Sequence, residues 1–561
     1  MNKKWECYEI EEAQVNNLIE KYKLNSILAK ILVNKGITEK KDIELFVNPT
    51  RKDFYDPFLM PDMEIAVDRI LKAIEDKEKI IIYGDYDADG ITSTTVLKNF
   101  LEERGLKVGT YIPNRLDEGY GLNKNAIKNI YEQGYRLIIT VDCGISGTEE
   151  IEYANSLGIE TLITDHHEPT EVLPNALAVV DAKRKDNKYP FNQLAGVGVV
   201  FKLIQAISIK LNLEEKEFLK YLDIVCIGTI SDIVPLVDEN RVIAKLGLKL
   251  IAQTKNIGLK ALLEVIGFSN IDSSAISFGV APRINACGRM GNEKVALDLF
   301  LSKDYAEAKK LAIRLNEYNI ERQTIEKQIF DEAVQKVEAN EKDKTCVIVG
   351  SKGWHHGIIG IVAPKITDMY FKPSILVCFE DGEGKGSGRS IPGFDLHEAL
   401  MKCEKHLEKF GGHSMAVGVT LKESEFESFK NELEEYAKEN EIDKIQPVIK
   451  IDGELSLKDV SIDSVKSLSM VEPYGEANKM PLFLFKNLKI NSIRALSEGK
   501  HLKLTLKEDN YMINAIGFNM GELSEKYLLD DKVDIVGNLD LNVYNGNENV
   551  QIILKDIRKS Y

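Results

Sequence analysis

The 561-residue sequence has few features of a secreted, membrane-bound or disulfide-stabilised protein. Its seven cysteines are scattered singly without a CxxC pair, which argues against a disulfide framework and against a zinc knuckle. No apolar run approaches bilayer-spanning length, and the first residues show neither a basic region leading to an apolar segment nor a small-residue cleavage site. We therefore expect a cytoplasmic protein with reduced thiols and no membrane contact.

An excess of positive charge is also missing, since the net charge is -16 at pH 7. A chain with this balance does not coat a polyanion non-specifically, although it can carry a local basic groove. Repeats of solenoid type and low-complexity segments are absent from the sequence, and its 44% hydrophobic and 29% charged residues are ordinary for a globular protein. Any contact with nucleic acid must therefore be focused on a small part of the surface.

The first part of the chain contains regions that differ in hydrophobic periodicity. From about residue 80 to 182, short apolar runs alternate with amphipathic segments, which predicts a doubly wound parallel α/β sheet. Residues from about 194 to 300 are predicted to be mainly helical. A charged stretch at 304–341 is predicted to be one long connecting helix. We thus expect an N-terminal helical segment at 1–60 and a first large domain at 61–303.

The second half contains a smaller α/β pattern at 342–423, in which we predict a glycine-rich loop near 382 to 393. A charged helical segment at 424–446 is predicted to be a solvated linker helix. From 447 to 561, alternating short strands separated by Gly, Asn and Asp predict an OB-like β-barrel. The predicted fold is therefore α/β with a C-terminal barrel.

Carboxylates follow the first predicted strand, KIIIYG, at every second position as Asp85, Asp87 and Asp89. Three anions within five residues repel one another, and a divalent cation would offset this repulsion. Taken alone, the pattern fits equally well a solvated acidic turn that caps the helix beginning near Ile91. The remaining strand ends must distinguish the two interpretations.

Two further predicted strands end in acidic or histidine-containing stretches, one at Asp142 and one at Asp165, His166 and His167. The carboxyl ends of parallel strands form the ligand crevice of an open α/β sheet, so these side chains should converge. An apolar segment, IGTISDIVPL, carries Asp232. A single histidine after a strand is often structural, but imidazole and carboxylate together suit Mn²⁺ or Mg²⁺.

This combined arrangement resembles the DHH phosphoesterase superfamily, whose name-giving triplet is Asp165-His166-His167. Within it, the chain is similar to the single-strand-specific exonucleases. The resemblance covers about residues 60 to 425 strongly and the barrel more loosely. It is carried by an ordered set of motifs: NRLDEGYGL, LAGVGVVFKL, GTISDIVPL, APRINACGRMG, GWHHGIIGIVAPKI, GSGRSIPGFDL and FGGHSMAVG.

The resemblance implies a DHH domain, a smaller DHHA1 domain and two Mn²⁺ or Mg²⁺ ions. It implies that Asp142 bridges the ions, that His167 lies beside the scissile phosphate, and that Asp142, His166 and His167 are catalytic. Some relatives have histidine where this chain has Tyr83, and Cys287 stands at a position that is usually alanine. The implied metal shell is Asp87, Asp89, Asp142, His166 and Asp232, with Asp85 either as an outer metal ligand or as a hydrogen-bond acceptor behind the ligands.

Substrate-binding residues are expected in loops rich in Gly and Ser, where guanidinium groups and backbone N–H groups can hold phosphate. Any one arginine fits a structural ion pair as well, and the doublet His355-His356 fits either DNA contact or capping of the next helix. In the barrel, Tyr511, Phe518 and Tyr544 are either stacking platforms or core residues. The implied substrate set is Arg283, Asn285, Arg289, His355, His356, Arg389, Ser390 and His413.

The resemblance implies a metal-dependent exonuclease that degrades single-stranded DNA from 5′ to 3′ to mononucleotides in repair and recombination. It also implies a monomer that works with single-strand-binding protein and a repair helicase. An alternative is a DHH-DHHA1 phosphodiesterase of short oligonucleotides or cyclic dinucleotides, although such relatives are usually shorter and lack the barrel. A third alternative, a replication scaffold without activity, is disfavoured by the complete carboxylate and histidine set.

Overall fold

A strand and three helices begin the chain in the computed structural model, which describes residues 3–115, 118–268, 270–544 and 546–560. These elements are β1 (Lys4–Cys7), α1 (Glu12–Tyr22), α2 (Ser26–Asn34) and α3 (Lys40–Val47). Asn25 caps α2 by accepting a hydrogen bond from the backbone N–H of Leu28. Most apolar residues of α2 are buried, so this segment needs a partner elsewhere in the chain.

A five-stranded parallel sheet forms the first lobe, in the order β3-β2-β4-β5-β6. In β2 every residue except Lys79 is buried, as expected for a parallel strand covered on both faces. The predicted doubly wound sheet is therefore confirmed. The elements are α4 (Met63–Asp76), β2 (Lys79–Gly84), α5 (Ala88–Glu102), β3 (Lys107–Tyr111), α6 (Lys124–Glu132), β4 (Leu137–Val141), α7 (Thr148–Ser156), β5 (Glu160–Thr164) and β6 (Ala178–Val180).

Helices complete this lobe and share its largest apolar core with the sheet. They are α8 (Gly196–Lys210), α9 (Lys216–Leu219), α10 (Leu222–Ser231), α11 (Asp238–Ile251), α12 (Ile257–Ile266), α13 (Ser273–Ala275), α14 (Ala281–Arg289) and α15 (Lys294–Leu301). A π-helical turn, Ile276–Val280, joins α13 to α14.

The predicted connecting helix is α16 (Tyr305–Lys336), which continues into a π-helical turn at Val337–Glu341. Its first half buries Ala312 and Leu315 in the core of the first lobe. Its second half buries Ile329 and Ala333 in the core of the second lobe. One continuous helix thus fixes the spacing of the two lobes across a cleft.

The second lobe is a mixed five-stranded sheet in the order β10-β11-β9-β8-β7. Its β7 and β8 are parallel, and the other neighbours are antiparallel. The elements are β7 (Val347–Lys352), α17 (His356–Tyr370), β8 (Ser374–Glu380), β9 (Glu383–Arg389), α18 (Leu396–Lys402), β10 (Lys409–His413), β11 (Ala416–Lys422) and α19 (Phe426–Glu439).

Two sequence-based predictions for this lobe differ from the structure. The segment predicted as a glycine-rich loop is largely strand β9, and its glycines leave room for valines of the neighbouring strands. A Cβ on Gly386 would lie 2.6 Å from Val419 Cγ2. The predicted solvated linker helix at 424–446 contains α19, which buries Phe429 and Leu433 in the core of this lobe. Its apolar stripe repeats at helical spacing beneath a charged outer face.

The C-terminal sheet has the order β13-β14-β15-β16-β18-β17, and an additional pairing of β14 with β17 closes it into a barrel. The predicted OB-like barrel is therefore confirmed. The elements are β12 (Val448–Ile451), β13 (Gly453–Glu454), α20 (Ile462–Lys466), β14 (Phe483–Leu496), β15 (His501–Glu508), β16 (Tyr511–Gly517), α21 (Leu523–Lys526), β17 (Lys532–Tyr544) and β18 (Asn547–Lys559).

The N-terminal segment packs on this barrel. Strand β1 pairs in parallel with β12, and Val15 and Leu18 of α1 join a core that contains Phe483 and Phe485 of β14. Of the helices that the structure describes, none is both long enough and apolar enough to cross a lipid bilayer. The N-terminal segment and the barrel therefore form one composite unit, and the predicted site residues lie in the two lobes.

Candidate metal centre and phosphate-binding cleft

The carboxylates after β2 are held by helix N-termini. Asp87 caps α5, and its Oδ1 accepts hydrogen bonds from the backbone N–H groups of Asp89 and Gly90 at 2.9 and 3.1 Å. Asp89 accepts from the N–H groups of Gly196 and Val197 at 2.7 and 2.8 Å, at the start of α8. The positive ends of two helix dipoles therefore help to hold these carboxylates together.

Asp142 follows β4 in a left-handed backbone conformation with φ of 59°. Its backbone N–H donates to the carbonyl of Thr164 at 3.0 Å, which ties this turn to the end of β5. Gly196 packs directly against it, because a Cβ at that position would lie 2.7 Å from Asp142 Oδ1. A glycine is therefore required for the close approach of α8 to the Asp142 carboxylate.

His166 brings three separate segments together. Its Nε2 lies 3.1 Å from Asp142 Oδ1, 3.6 Å from Asp232 Oδ2 and 3.8 Å from Asp89 Oδ2. The seven acidic and histidine residues predicted for the site form three overlapping groups with ligand spacing: Asp85, Asp87 and Asp142; Asp89, His166 and Asp232; and Asp142, His166 and His167.

Three buried polar atoms at this point have no hydrogen-bond partner among the residues that the structure describes. They are Asp85 Oδ1, Asp142 Oδ1 and His166 Nε2. The last two lie 3.1 Å apart, but this contact does not meet the geometry of a hydrogen bond. Buried polar atoms are normally paired, so unpaired atoms that face one another indicate a missing ligand. A set rich in carboxylate oxygens with one imidazole fits hard divalent cations such as Mn²⁺ and Mg²⁺.

Protonation equilibria at the site reflect its burial. Burial, with neighbouring carboxylates as a second cause, raises the pKa of Asp85, Asp89 and Asp142 well above the ordinary range. Burial and the charge of Asp87 raise the pKa of Asp232 to about 7. Burial also lowers the pKa of His166 to about 3, which keeps this imidazole neutral and able to act as a ligand.

His167 is held in a different way from His166. Its Nδ1 lies 2.7 Å from Asp165 Oδ1, and Asp165 Oδ2 accepts a hydrogen bond from the N–H of Ile145 at 2.9 Å. Burial alone would lower the pKa of His167, but the hydrogen bond to Asp165 and its negative charge raise it. The hydroxyl of Tyr120 lies 3.2 Å from His167 Nδ1. His167 is thus oriented beside the ligand groups.

The predicted substrate residues of the first lobe lie on α14. Asn285 Oδ1 accepts a hydrogen bond from the N–H of Ala88 at 2.8 Å, which places it directly beside the acidic turn. Arg289 donates to the carbonyl of Gly357 at 2.8 Å and so links the two lobes. Arg283 donates to the carbonyl of Gly279 and to Asn316 Oδ1. Asn285 and Arg289 therefore line the cleft. The hydrogen bond of Arg283 to Asn316 anchors α14 to α16.

In the second lobe, His355 caps α17, since its Nδ1 accepts from the N–H of Gly357 at 3.1 Å. His356 is exposed, and its ring is nearly parallel to that of His355 at 5.9 Å. Arg389 donates to the carbonyl of Gly388 at 2.7 Å. The structure thus answers the capping question for His355.

The other two predicted residues of this lobe differ in exposure. Ser390 is buried, and its hydroxyl donates to the carbonyl of Phe394 at 2.7 Å. His413 is exposed at the end of β10. His413 is therefore accessible to a ligand. The Ser390 hydroxyl already donates a hydrogen bond within the protein.

Sequence reasoning did not single out Arg115 or Tyr120, although both lie in the quoted NRLDEGYGL motif. Burial and the charge of Asp87 raise the pKa of Asp85, and the positive charge of Arg115 partly opposes this rise. The Arg115 guanidinium lies 5.0 Å from the ring of Tyr86. Their place in this motif was therefore the sequence signal that could have identified both residues. Tyr83 stands where some relatives have histidine, and its buried hydroxyl donates to the carbonyl of Gly121 at 3.0 Å.

Two of the barrel aromatics named from the sequence are exposed. Tyr511 is 52% exposed and borders a cavity of about 470 Å³, and Phe518 is 57% exposed. The side chain of Tyr544 lies outside the described residues. Tyr511 and Phe518 are thus surface residues rather than members of the barrel core.

A parallel sheet that presents an Asp-His-His triplet and further carboxylates at its strand ends defines the class of DHH phosphoesterases. Comparison with known families agrees. The model of the DHH family N-terminal domain matches residues 79–229, that of the DHHA1 domain matches 342–439, and that of the RecJ OB domain matches 451–556.

Comparison with individual relatives identifies the family within this class of phosphoesterases. The single-stranded-DNA-specific exonuclease RecJ of Bacillus subtilis is 40% identical over 560 residues, which cover 99% of this chain and 70% of that protein. The RecJ of Haemophilus influenzae is 33% identical, covering 90% of this chain and 92% of that one. The crystal structure of Thermus thermophilus RecJ in complex with Mn²⁺ matches all of this chain and 80% of that chain, with a TM-score of 0.85 at 30% identity. The chain belongs to the RecJ family.

Proposed function

We propose that this protein is a divalent-cation-dependent exonuclease that hydrolyses single-stranded DNA from its 5′ end to mononucleotides. The observation that carries the proposal is the convergence of Asp85, Asp142 and His166, with their unpaired buried atoms, at the cleft between the two lobes. The names of the full-length relatives support the substrate and the reaction. The 5′-to-3′ direction and the mononucleotide product follow the family.

The metal shell that we propose is Asp85, Asp87, Asp89, Asp142, His166 and Asp232, around two Mn²⁺ or Mg²⁺ ions. Asp142 and His166 each belong to two of the three ligand groups. Of these two, Asp142 is the carboxylate, whose two oxygens can bind two ions, which supports its assignment as the residue shared by both ions. When bound, such ions lower the pKa of a water molecule and offset the negative charge that develops on a phosphodiester during in-line displacement. The protein therefore needs no covalent intermediate.

The side chains around the metal shell position the strand and move a proton. Asp165 accepts the hydrogen bond of His167 Nδ1 and favours the protonated imidazole, so His167 Nε2 can donate a proton to the scissile phosphate or to the leaving oxygen. Arg289 and Arg115 bring positive charge to the same side of the cleft. Asn285 holds the first turn of α5 and so keeps the acidic turn in place.

We assign the remaining proposed contacts to the other units. In the second lobe, Arg389 and His413 would bind nucleotide phosphates, with His356 at the rim of the cleft and His355 positioned by its cap. Ser390 would join them when its hydroxyl turns from the carbonyl of Phe394 toward a phosphate. In the barrel, Tyr511 and Phe518 would stack on bases of the strand beyond the cleft, because both rings are exposed. Residues 61–303, 342–423 and 447–561 then correspond to cleavage, phosphate binding and strand binding.

The cellular setting that we propose follows the family. The protein would act as a monomer on single strands produced during repair and recombination, together with a single-strand-binding protein and a repair helicase. The seven cysteines are all free, which agrees with work in the reducing cytoplasm.

A direct test uses a strand of about 40 nucleotides labelled at either end, its duplex, and a dinucleotide, each with Mn²⁺, Mg²⁺ or a chelator. We expect the single strand to be degraded with either ion, the duplex to resist, and the chelator to stop the reaction. Release of the 5′ label as a mononucleotide at the earliest times supports the direction. Degradation of the dinucleotide alone would instead identify the short-oligonucleotide phosphodiesterase.

A further inference from the structure

Two large apolar side chains of the first lobe are exposed to solvent. Ile233 directly follows the proposed ligand Asp232 and is 71% exposed, and Phe278 is 81% exposed. Both line one cavity of about 560 Å³, which is bordered by α14, α16, α17 and the loop at Gly475 and Glu476. Apolar surface that is grouped around a cavity next to a catalytic site indicates a ligand with apolar faces.

Ile233 adopts a backbone conformation that β-branched residues avoid. Its φ is 60°, in the left-handed region, where a branched side chain crowds the following carbonyl. Ile233 also borders a second cavity of about 410 Å³, which is lined by His166, Asp232 and Lys183. The side chain therefore stands as a ridge between two cavities at the metal centre, and its strained backbone is consistent with a functional position.

Phe278 lies in the π-helical turn Ile276–Val280, an irregularity that is frequent at functional sites. The next residue, Gly279, packs on the ring of Phe268, because a Cβ there would lie 2.2 Å from Phe268 Cε2. The ring of Phe268 thus packs against the π-helical turn at Gly279. This support leaves Phe278 directed away from the core and toward the cavity.

The charged side chains around the cavity indicate that the ligand also has an anionic part. Arg289, Arg322 and Lys365 line it, together with Glu326 and Glu476. Arg322 and Lys365 both form ion pairs with Glu326. Burial first, and then the neighbouring charge of Arg322, lowers the pKa of Arg283, and burial with the charges of Arg115 and Arg322 lowers that of Arg289 to about 10. The cavity wall thus carries three cationic side chains against two carboxylates, and its guanidinium groups favour an anionic ligand.

We propose that Ile233 and Phe278 contact the bases of the DNA strand immediately downstream of the scissile phosphate. Phe278 stacks on one base, and Ile233 inserts between two successive bases and splays them apart. The arginines hold the backbone of the same nucleotides. This inference rests on the proposed function and adds a reason for strand selectivity, because bases in a duplex are paired and stacked and cannot enclose the Ile233 ridge.

The first test uses binding without catalysis. The full-length protein in chelator is titrated with strands that carry 2-aminopurine at one of the first six positions from the 5′ end. We expect a fluorescence change at one or two adjacent positions with the unaltered protein. Phe278→Ala should abolish the change at the stacked position and weaken affinity about tenfold, whereas Phe278→Tyr should preserve both.

The second test uses the reaction with Mn²⁺. Phe278→Ala and Ile233→Ala should each raise KM for a 40-nucleotide strand about tenfold, and should raise KM for a dinucleotide by a much smaller factor. Val172→Ala is the matched control, since Val172 is 72% exposed on the same lobe but lines neither cavity. Circular dichroism establishes that each variant remains folded.

The outcomes separate this inference from the proposed function. If the unaltered protein does not degrade the single strand, the proposed function is wrong. If it degrades the strand, and both alanine variants match Val172→Ala in KM and in the 2-aminopurine signal, the contact of Ile233 and Phe278 with bases is wrong. Equal losses on the strand and on the dinucleotide would assign the two residues to the metal centre rather than to the downstream strand, and would also overturn the inference.

Discussion

Asp165 Oδ1 lies 2.7 Å from Nδ1 of His167, and this contact gives two consecutive histidines opposite properties. The pKa of His167 is raised by its partner, whereas burial lowers the pKa of its neighbour His166 to about 3. A neutral imidazole suits a metal ligand, and a protonated one suits a group that donates to phosphate. The carboxylate of Asp165 therefore positions His167 without belonging to the three ligand groups.

The first prediction concerns this pair. Asp165→Asn should lower kcat by about 10²-fold to 10⁴-fold, because the imidazole loses the carboxylate that orients it and favours its charged form. His167→Ala should cause a similar loss. The double variant should lose little more than either single variant, since both changes disrupt one unit. Single-turnover kinetics measures all three, and fully additive losses would show that the two residues act independently.

The second prediction concerns the metal shell. Asp142→Ala and Asp232→Ala should each abolish hydrolysis while the fold remains cooperative, because removing one carboxylate relieves repulsion among buried anions. In the unaltered protein, Mn²⁺ at about 100 times its Kd should raise the free energy of unfolding by about 2.7 kcal/mol. Calorimetric melting with and without Mn²⁺ measures this gain. A gain that is undiminished in both variants would remove these residues from the shell.

The third prediction separates two glycines of the same helix. Gly196→Ala should reduce activity by about 10²-fold and weaken Mn²⁺ binding, because the added Cβ would lie 2.7 Å from Asp142 Oδ1 and displace it. Gly198→Ala, where the Cβ would lie 3.2 Å from a side-chain atom of Leu194, is the matched control and should retain most activity. Titration with Mn²⁺ and strand-degradation assays test both. Equal effects would point to helix packing rather than to the Asp142 carboxylate.

The fourth prediction concerns phosphate binding in the second lobe. Arg389 donates to the carbonyl of Gly388, and burial lowers its pKa. Arg389→Ala should weaken binding of the single strand, and the slope of log affinity against log salt should become shallower by about one. Arg51→Ala is the control, because Arg51 and its partner Glu215 are both exposed on the surface. An unchanged slope would mean that Arg389 serves only the fold.

Local patterns carried much of the fold and of the site. The apolar runs that end in Asp85, Asp142 and Asp165 identify adjacent parallel strands, and strand ends in such a sheet necessarily meet. Asp232 could be added only through the family motif, because its place at the end of α10 depends on helix packing. Phe278 showed no signal, since an apolar residue in a helical region is ordinarily assigned to the core.

Other features depend on contacts between distant parts of the chain. The charged residues of α19 suggested a solvated linker, although Phe429, Leu433 and Ala437 repeat at every fourth position and are buried. The pairing of β1 with β12 joins segments that are far apart in the sequence, and no local periodicity records such a partner. In both cases the sequence does not show which distant segment packs against or pairs with the element.

The shared core of the N-terminal segment and the barrel affects how the protein can be made by a ribosome. Val15 and Leu18 are synthesised first, but the strands that bury them, including β14, are among the last to emerge. The two lobes can complete their cores during translation, whereas α1 and α2 must wait with exposed apolar faces until synthesis is nearly finished. Nascent chains that stall before the barrel should therefore be bound by chaperones at their N-terminal helices.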